Sequence, residues 1–215
     1  MSEIKYTYNH FSNYGCMIFD LTDEVLAPVL EEITELQSNF DNGEKFNDKL
    51  AGNIRKEFKL SKCFNHLEKL VLPFVAEYDK HFGYFKTIKY MNHDLPVVLH
   101  DVWANFQQKY EFNPMHDHAG VMSFVIWLKV PFTMADEAKF MPEIPTERKC
   151  NGLFSLYYTD TLGNIRSHDI PVDKSYEKKL LLFPATMRHS VYPFYTSDDY
   201  RISVSGNFLM KAFDQ

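Results

Sequence analysis

The hydrophobic period of this chain changes once, near residue 95, from three-and-four to two. That change confines the fold, because spacing of three and four lines one face of a helix and strict alternation lines one face of a strand. Helices gathered in the first half and strands in the second predict an α+β, mainly β architecture. Residues 22–37 carry Val25, Leu26, Val29, Leu30, Ile33 and Leu36 at helical spacing, with Thr22 as N-cap and Asp23 and Glu24 at the positive end of the dipole. Pro28 is expected in the first turns of that helix. After a polar loop at 38–44, a short helix is predicted over 50–58. From Ser61 onward, Phe64, Leu67, Leu70, Val71, Phe74, Val75 and Tyr78 form one stripe, and Pro73 within it predicts a kink or two abutting helices. His66 and His81 lie among charged neighbours and read as solvated surface histidines.

Beyond residue 95, strands are predicted at 97–108, 121–130, 152–159, 179–183, 189–194 and 201–209, with shorter pieces at 110–116 and around Ile165. On the first of these, Trp103, Asn105 and Gln107 share one face and Val102, Ala104 and Phe106 the other. Turn signals fall at Asp94-Leu95-Pro96, Ala119-Gly120, Leu162-Gly163-Asn164 and Ser197-Asp198-Asp199. About eight short strands at this spacing predict a sandwich or jelly-roll barrel. The stretch 131–151 is rich in proline and charge and reads as a long, functional loop. The expected organisation is one domain over 1–215, with a helical support region to about 92 and a β core over about 95–210.

Composition narrows the classes. Phe, Tyr and Trp make up 16% of the chain, which favours a β-rich core and is silent on chemistry. A net charge of −6 provides no broad basic footprint, so no nucleic-acid partner is expected. Cys16, Cys63 and Cys150 are odd in number and form no Cys-x-x-Cys pair, so reduced, packed thiols are expected rather than a disulfide framework or a zinc ribbon. The first residues lack the apolar segment of a signal peptide, and the longest apolar run, 70–76, is far short of a membrane span. A cytoplasmic location without a membrane partner is the expectation.

Chemistry concentrates in three of the nine histidines. His116 and His118 flank Asp117 at the end of a predicted strand, and His189 opens a distant one. Residues i and i+2 of a strand project to the same side, so such a pair can offer two ligands to one ion and a neighbouring strand a third. This is the logic of a facial triad for non-haem Fe(II). His-x-His alone is equally accounted for by surface or core histidines. Farther on, Arg201, Ser203 and Ser205 alternate with Ile202 and Val204. An inward arginine is costly unless an anion meets it, and a dicarboxylic acid would do so, with Arg201 gripping a carboxylate and Ser203 adding a hydrogen bond. The alternative is an outward Arg201 paired with Asp198 or Asp199.

On these residues the chain resembles the 2-oxoglutarate- and Fe(II)-dependent oxygenases, and among them a small, phage-type, prolyl-hydroxylase-like branch. The pieces are Leu50-Ala51-Gly52-Asn53-Ile54 with Lys56-Glu57-Phe58, then Trp103-Ala104-Asn105, and His116-Asp117-His118 leading into Ser123-Phe124-Val125-Ile126. At the C-terminal end they are Leu182-Phe183-Pro184, His189-Ser190-Val191 and Arg201-Ile202-Ser203-Val204. The resemblance implies a double-stranded β-helix, a cupin-like jelly roll, with supporting N-terminal helices. It also implies His189 as the distal iron ligand and Arg201 with Ser203 as the 2-oxoglutarate carboxylate site. Most of the family use His-x-Asp or His-x-Glu as the proximal pair. Here strand geometry favours His116 and His118, with Asp117 the alternative if a bulge near Gly120 swings it inward. Asn105, Gln107 and Trp103 could line the cosubstrate pocket, as could Tyr157 and Tyr192.

The activity implied is hydroxylation of a substrate, a peptidyl (prolyl) residue by the resemblance, consuming 2-oxoglutarate and dioxygen at Fe(II) and releasing succinate and CO2. Two further readings use the same residues differently. A cupin-like three-histidine metalloenzyme, a dioxygenase or isomerase, would keep His116, His118 and His189 and have no need of an inward Arg201. A non-catalytic β-sandwich interaction module would bind iron weakly or not at all.

Overall fold

A computed structural model of the chain describes residues 5, 7, 8, 13–88, 95–146 and 149–211. Its strands, in chain order, are β1 (Met17–Asp20), β2 (Glu57–Lys59), β3 (Val97–Gln107), β4 (Asn113–His116), β5 (Met122–Lys129), β6 (Phe154–Thr159), β7 (Ile165–Ile170), β8 (Lys179–Pro184), β9 (His189–Val191) and β10 (Arg201–Met210). The helices are α1 (Asp23–Ser38), α2 (Phe64–Phe82), α3 (Tyr84–Ile88) and α4 (Met134–Glu137). The strands form two antiparallel sheets, β1-β8-β5-β10-β3-β2 and β4-β9-β6-β7. Successive strands of the C-terminal half pass from one sheet to the other, which is the jelly-roll pattern of a double-stranded β-helix.

Two apolar clusters hold these layers. On the outer face of the large sheet, Val102, Ala104 and Phe106 of β3 and Val204 and Phe208 of β10 pack with Leu26, Val29 and Ile33 of α1 and Leu67, Val71 and Val75 of α2. Between the sheets, Val125 and Trp127 meet Phe154, Leu156, Leu181 and Phe183. The alternation of β3 therefore serves two different interiors, one on each side of the sheet. Each fully buried phenylalanine on the helix side contributes roughly 1.5–3 kcal/mol relative to exposure.

Several expectations need correction. Residues 50–58 are not a helix: Glu57–Lys59 is β2, paired with β3 through Glu57↔Asn105, Phe58↔Ala104 and Lys59↔Trp103. Leu50, Ile54 and Phe58 imitate a helical stripe, yet Leu50 and Ile54 face the cavity described below while Phe58 stacks on Phe40. Gly52 adopts φ 126, which lies outside any helix and which a side chain would strain. The helical half thus supplies β1 and β2, one at each edge of the large sheet. β1 escaped the sequence reading because four residues carry too little alternation to register.

Pro73 does not divide α2, which runs unbroken to Phe82. It ends at Gly83, whose left-handed conformation (φ 62) lets its N–H close on Asp79 O at 2.6 Å. β9 stops at Val191, shorter than expected, since Pro193 follows and cannot extend the ladder. β7 is longer than expected. The 131–151 stretch contains α4, capped by Thr133 Oγ1 accepting from Asp136 N at 3.2 Å. His66 is half-buried rather than solvated, its Nε2 2.7 Å from Val25 O, whereas His81 is exposed. The turn signal at Asp94 lies outside the described residues, as do residues 147–148 of the long loop. The three cysteines are free thiols. No helix among the described residues is long and apolar enough to cross a membrane.

Candidate metal centre

β4 and β9 are neighbours in the small sheet, and their register sets His116 directly opposite His189. His118 follows β4, its backbone N–H donating to Ala185 O at 2.9 Å, beyond β8. The three rings converge: one ligating atom from each lies within 4.8 Å of the others, and His118 Nε2 is 3.1 Å from His189 Nε2. Local contacts orient the rings. His116 Nδ1 lies 2.7 Å from Pro114 O and His189 Nδ1 3.1 Å from Met187 O. A donor on each Nδ1 leaves the Nε2 lone pair free, which is the tautomer a metal requires. His189 also stacks on Phe154 and meets Phe183 edge-on, while Trp103 lies against His118.

Burial keeps these imidazoles neutral. Desolvation, then the neighbouring His116, holds His118 down to about 4, and burial places His189 well below the usual histidine value. His116 is lowered for the same first reason. Three neutral nitrogen donors pointing at one another repel unless a cation sits among them. Asp117 does not join them. It is exposed, and its Oδ2 lies 3.8 Å from Arg188 Nε. Asp117, the residue after β4 ends, stays outside the cluster although the β4–β9 register shifts between Asn113 and His116.

A cavity between the sheets connects this cluster to the inner faces of β3 and β10. It is lined by His116, His118 and His189, by Trp103, Asn105 and Gln107, and by Arg201, Ser203 and Ser205. Asn105 Nδ2 donates to Ser203 Oγ at 3.3 Å and to Ser205 Oγ at 3.4 Å. Arg201 is 3% exposed. Its Nε and Nη2 both donate to Gln107 Oε1 (2.9 and 2.6 Å), Nη2 also to Tyr192 O, and Nη1 to Gly152 O. All of these acceptors are neutral. The outward pairing is ruled out, since Asp198 pairs with Lys109 and Asp199 with Lys129. Burial depresses the Arg201 guanidinium to about 9, opposed by the negative charge of Glu137.

Glu137 is a residue that sequence reasoning missed. It is fully buried and accepts from Tyr195 N, Thr196 N and Thr196 Oγ1, pinning the long loop beside Arg201. Nothing in its position in a charged, patternless stretch signals burial. Leu50 and Ala51 were likewise missed as cavity residues because the helix expected there hid them. Asn105 and Gln107 are buried, and both line the cavity. Tyr157 and Tyr192 turn from the cavity: their hydroxyls lie 3.3 Å apart, and that of Tyr157 is 2.9 Å from Ser190 Oγ.

The donor set fits a resident divalent metal, and the buried guanidinium, whose direct hydrogen-bond acceptors among the described residues are all neutral, fits an anionic ligand. Residues 101–207, from within β3 into β10, match a family described as "Putative 2OG-Fe(II) oxygenase". No curated protein sequence matches the chain. Among solved structures, the chain is similar to a Pseudomonas putida prolyl-4-hydroxylase (TM-score 0.55, 13% identity, covering 93% of this chain and 94% of that one). It is also similar to the non-haem alpha ketoglutarate dependent epimerase SnoN from nogalamycin biosynthesis (TM-score 0.56, 12% identity, 91% and 77%). A third is AviO1 from Streptomyces viridochromogenes Tue57 (TM-score 0.52, 12% identity, 94% and 92%). At these identities the likeness carries the fold, the double-stranded β-helix. With the matched segment spanning the histidine cluster and the buried arginine, the chain belongs to the 2-oxoglutarate- and Fe(II)-dependent oxygenases.

Proposed function

We propose that this oxygenase hydroxylates a peptidyl substrate, a prolyl residue being the first candidate, and releases succinate and CO2. Fe(II) is held by His116, His118 and His189, and 2-oxoglutarate by Arg201, Ser203 and Asn105. The observation that carries this reading is the pairing, in one cavity, of three neutral convergent imidazoles with a buried cation that forms no ion pair among the described residues. Once bound, iron, cosubstrate and dioxygen supply the oxidising chemistry that no side chain can.

The chain's own residues do the rest. The histidine Nε2 lone pairs bind the metal, with Nδ1 of His116 and His189 held by backbone carbonyls. Arg201 binds the distal carboxylate through the donor capacity that its neutral partners leave, and Gln107, itself donating to Glu111 O, holds the guanidinium plane. Trp103, Trp127, Phe154 and Phe183 wall the cavity and exclude water. A peptidyl substrate is supported by the near full-length fold likeness to a prolyl-4-hydroxylase and by the exposed apolar side chains of Phe112 and Met115, just ahead of His116 in the chain. The three free thiols suit a reducing cytoplasm, that of the host where a phage encodes the chain.

The test is anaerobic addition of Fe(II) and 2-oxoglutarate, read as a metal-to-ligand charge-transfer band. Arg201→Ala should lose the band at wild-type cosubstrate concentration while retaining iron. A search for a one-oxygen mass gain on proline-containing peptides then addresses the substrate. One observation favours a second reading: three histidines converge and Asp117 stays outside, the ligand set of a cupin-like three-histidine enzyme. Iron binding without any charge-transfer band in the wild type would select it.

A further inference from the structure

Among the described residues, two buried side-chain atoms lack a hydrogen-bond partner, Glu57 Oε1 and Asn105 Oδ1. They belong to residues directly opposite each other across the β2–β3 pair. Cross-strand partners share a face of the sheet with Cβ atoms roughly 4.5–5.5 Å apart, so Glu57 stands on the same inner face as Asn105. The amide of Asn105 is oriented by its other neighbour. Its Nδ2 donates toward Ser203 and Ser205 of β10, on the far side of β3, and Oδ1 is the amide atom left without a partner. On Glu57, Oε2 accepts from Asn47 Nδ2 at 3.1 Å, leaving Oε1 for the remaining direction. Two unpartnered acceptors thus lie buried on one face of the β2–β3 pair. A buried acceptor without a donor carries its full desolvation cost, and a single proton shared between the two would satisfy both.

We propose that Glu57 is a neutral carboxylic acid that donates its proton to Asn105 Oδ1, locking the amide so that Nδ2 stays on the β10 serines that line the cosubstrate cavity. Glu57 is then a positioning residue acting through Asn105. The role given to Asn105 rests on the cosubstrate site proposed above; the proton on Glu57 does not. The surroundings favour the acid. Glu57 is 3% exposed, forms no ion pair among the described residues, and has the Glu111 carboxylate as its charged neighbour. The nearby cations are engaged elsewhere, Arg55 on Glu111, Lys59 on Glu44 and Lys56 on the Tyr200 hydroxyl. Burial first, then repulsion from Glu111, pushes the Glu57 carboxyl up to about 8.

The sign of the pH dependence follows. Below the ordinary carboxylate value both folded and unfolded chains hold the proton and Glu57 is neutral in the balance. As pH rises toward about 8 the unfolded chain ionises while the folded one does not, so stability falls across that window. Glu57→Gln supplies a permanent N–H donor in place of the acid and should remove this dependence. The experiment is denaturant unfolding of the full-length wild type and of Glu57→Gln at about pH 5 and about pH 9. The variant should gain on the wild type by roughly tenfold or more in folding equilibrium between the two. A difference that does not change with pH means an ionised Glu57 and overturns the proposal. It would leave an Asn105 amide turned over, with Nδ2 on the carboxylate. A second arm reads KM for 2-oxoglutarate. It should rise above about pH 8 in the wild type with kcat little changed, stay level in Glu57→Gln, and be raised at every pH in Glu57→Ala. If the unfolding arm shows the proton and the KM arm shows no 2-oxoglutarate dependence, the cosubstrate reading fails alone. If KM behaves normally and unfolding shows no proton, this proposal fails alone.

Discussion

The two faces of β3 and β10 are built from alternate residues of the same strands, and they solve opposite problems. Toward the helices, Val102, Ala104, Phe106, Val204 and Phe208 are buried among apolar side chains. Toward the small sheet, Trp103, Asn105, Gln107, Arg201 and Ser203 line a cavity in which polar groups depend on one another. The first face is stabilised by area removed from water, which is non-directional and tolerant of shape-conserving change. The second is organised by directional hydrogen bonds, and a group deprived of its partner there carries the full desolvation cost. A one-residue step along a strand therefore separates stability from chemistry.

The comparison can be broken most decisively at the three-histidine cluster. His189→Ala should abolish succinate production and Fe(II) binding while circular dichroism shows a folded chain; retained turnover would sink the ligand assignment. The complementary change lies on the helix side. Phe106→Ala empties a fully buried position and should cost about 3–5 kcal/mol in denaturant unfolding, yet the fraction that remains folded should keep its charge-transfer band. Loss of the band in folded Phe106→Ala protein would show that the two faces are not separable. A smaller effect sharpens the boundary between them. Glu137→Gln should cost about 1–3 kcal/mol by weakening three anchoring hydrogen bonds to the Tyr195–Thr196 segment. It also removes the negative charge nearest Arg201, so cosubstrate affinity should move with stability in this variant, unlike Phe106→Ala.

Much of this arrangement was legible in the residues. Alternation separated Asn105 and Gln107 from Ala104 and Phe106 before any contact was known, and it placed His116 with His118 and left Asp117 outside. The failures share a cause. A stripe at Leu50, Ile54 and Phe58 reads as helix because periodicity records spacing and not the direction of the backbone between. Pro73 reads as a break, but the packing of Leu67, Val71, Val75 and Tyr78 carries α2 through it. Glu137 reads as a loop carboxylate, and only the return of Tyr195 and Thr196 beside it makes it a buried charge.

By itself, then, the amino-acid order determined local geometry and chemical identity: which side chains alternate, where the period changes, and which types of residue could hold a cation or grip a carboxylate. Those follow from bond geometry and side-chain chemistry, which act over a few residues. Tertiary structure decided everything that depends on partners distant in sequence. It set His189 opposite His116, turned Arg201 inward onto neutral acceptors, and brought Glu57 against Asn105 in a place too dry for an unshared charge. Charge and hydrogen-bond energies depend on what surrounds a group, and that surrounding exists only once the sheets have closed.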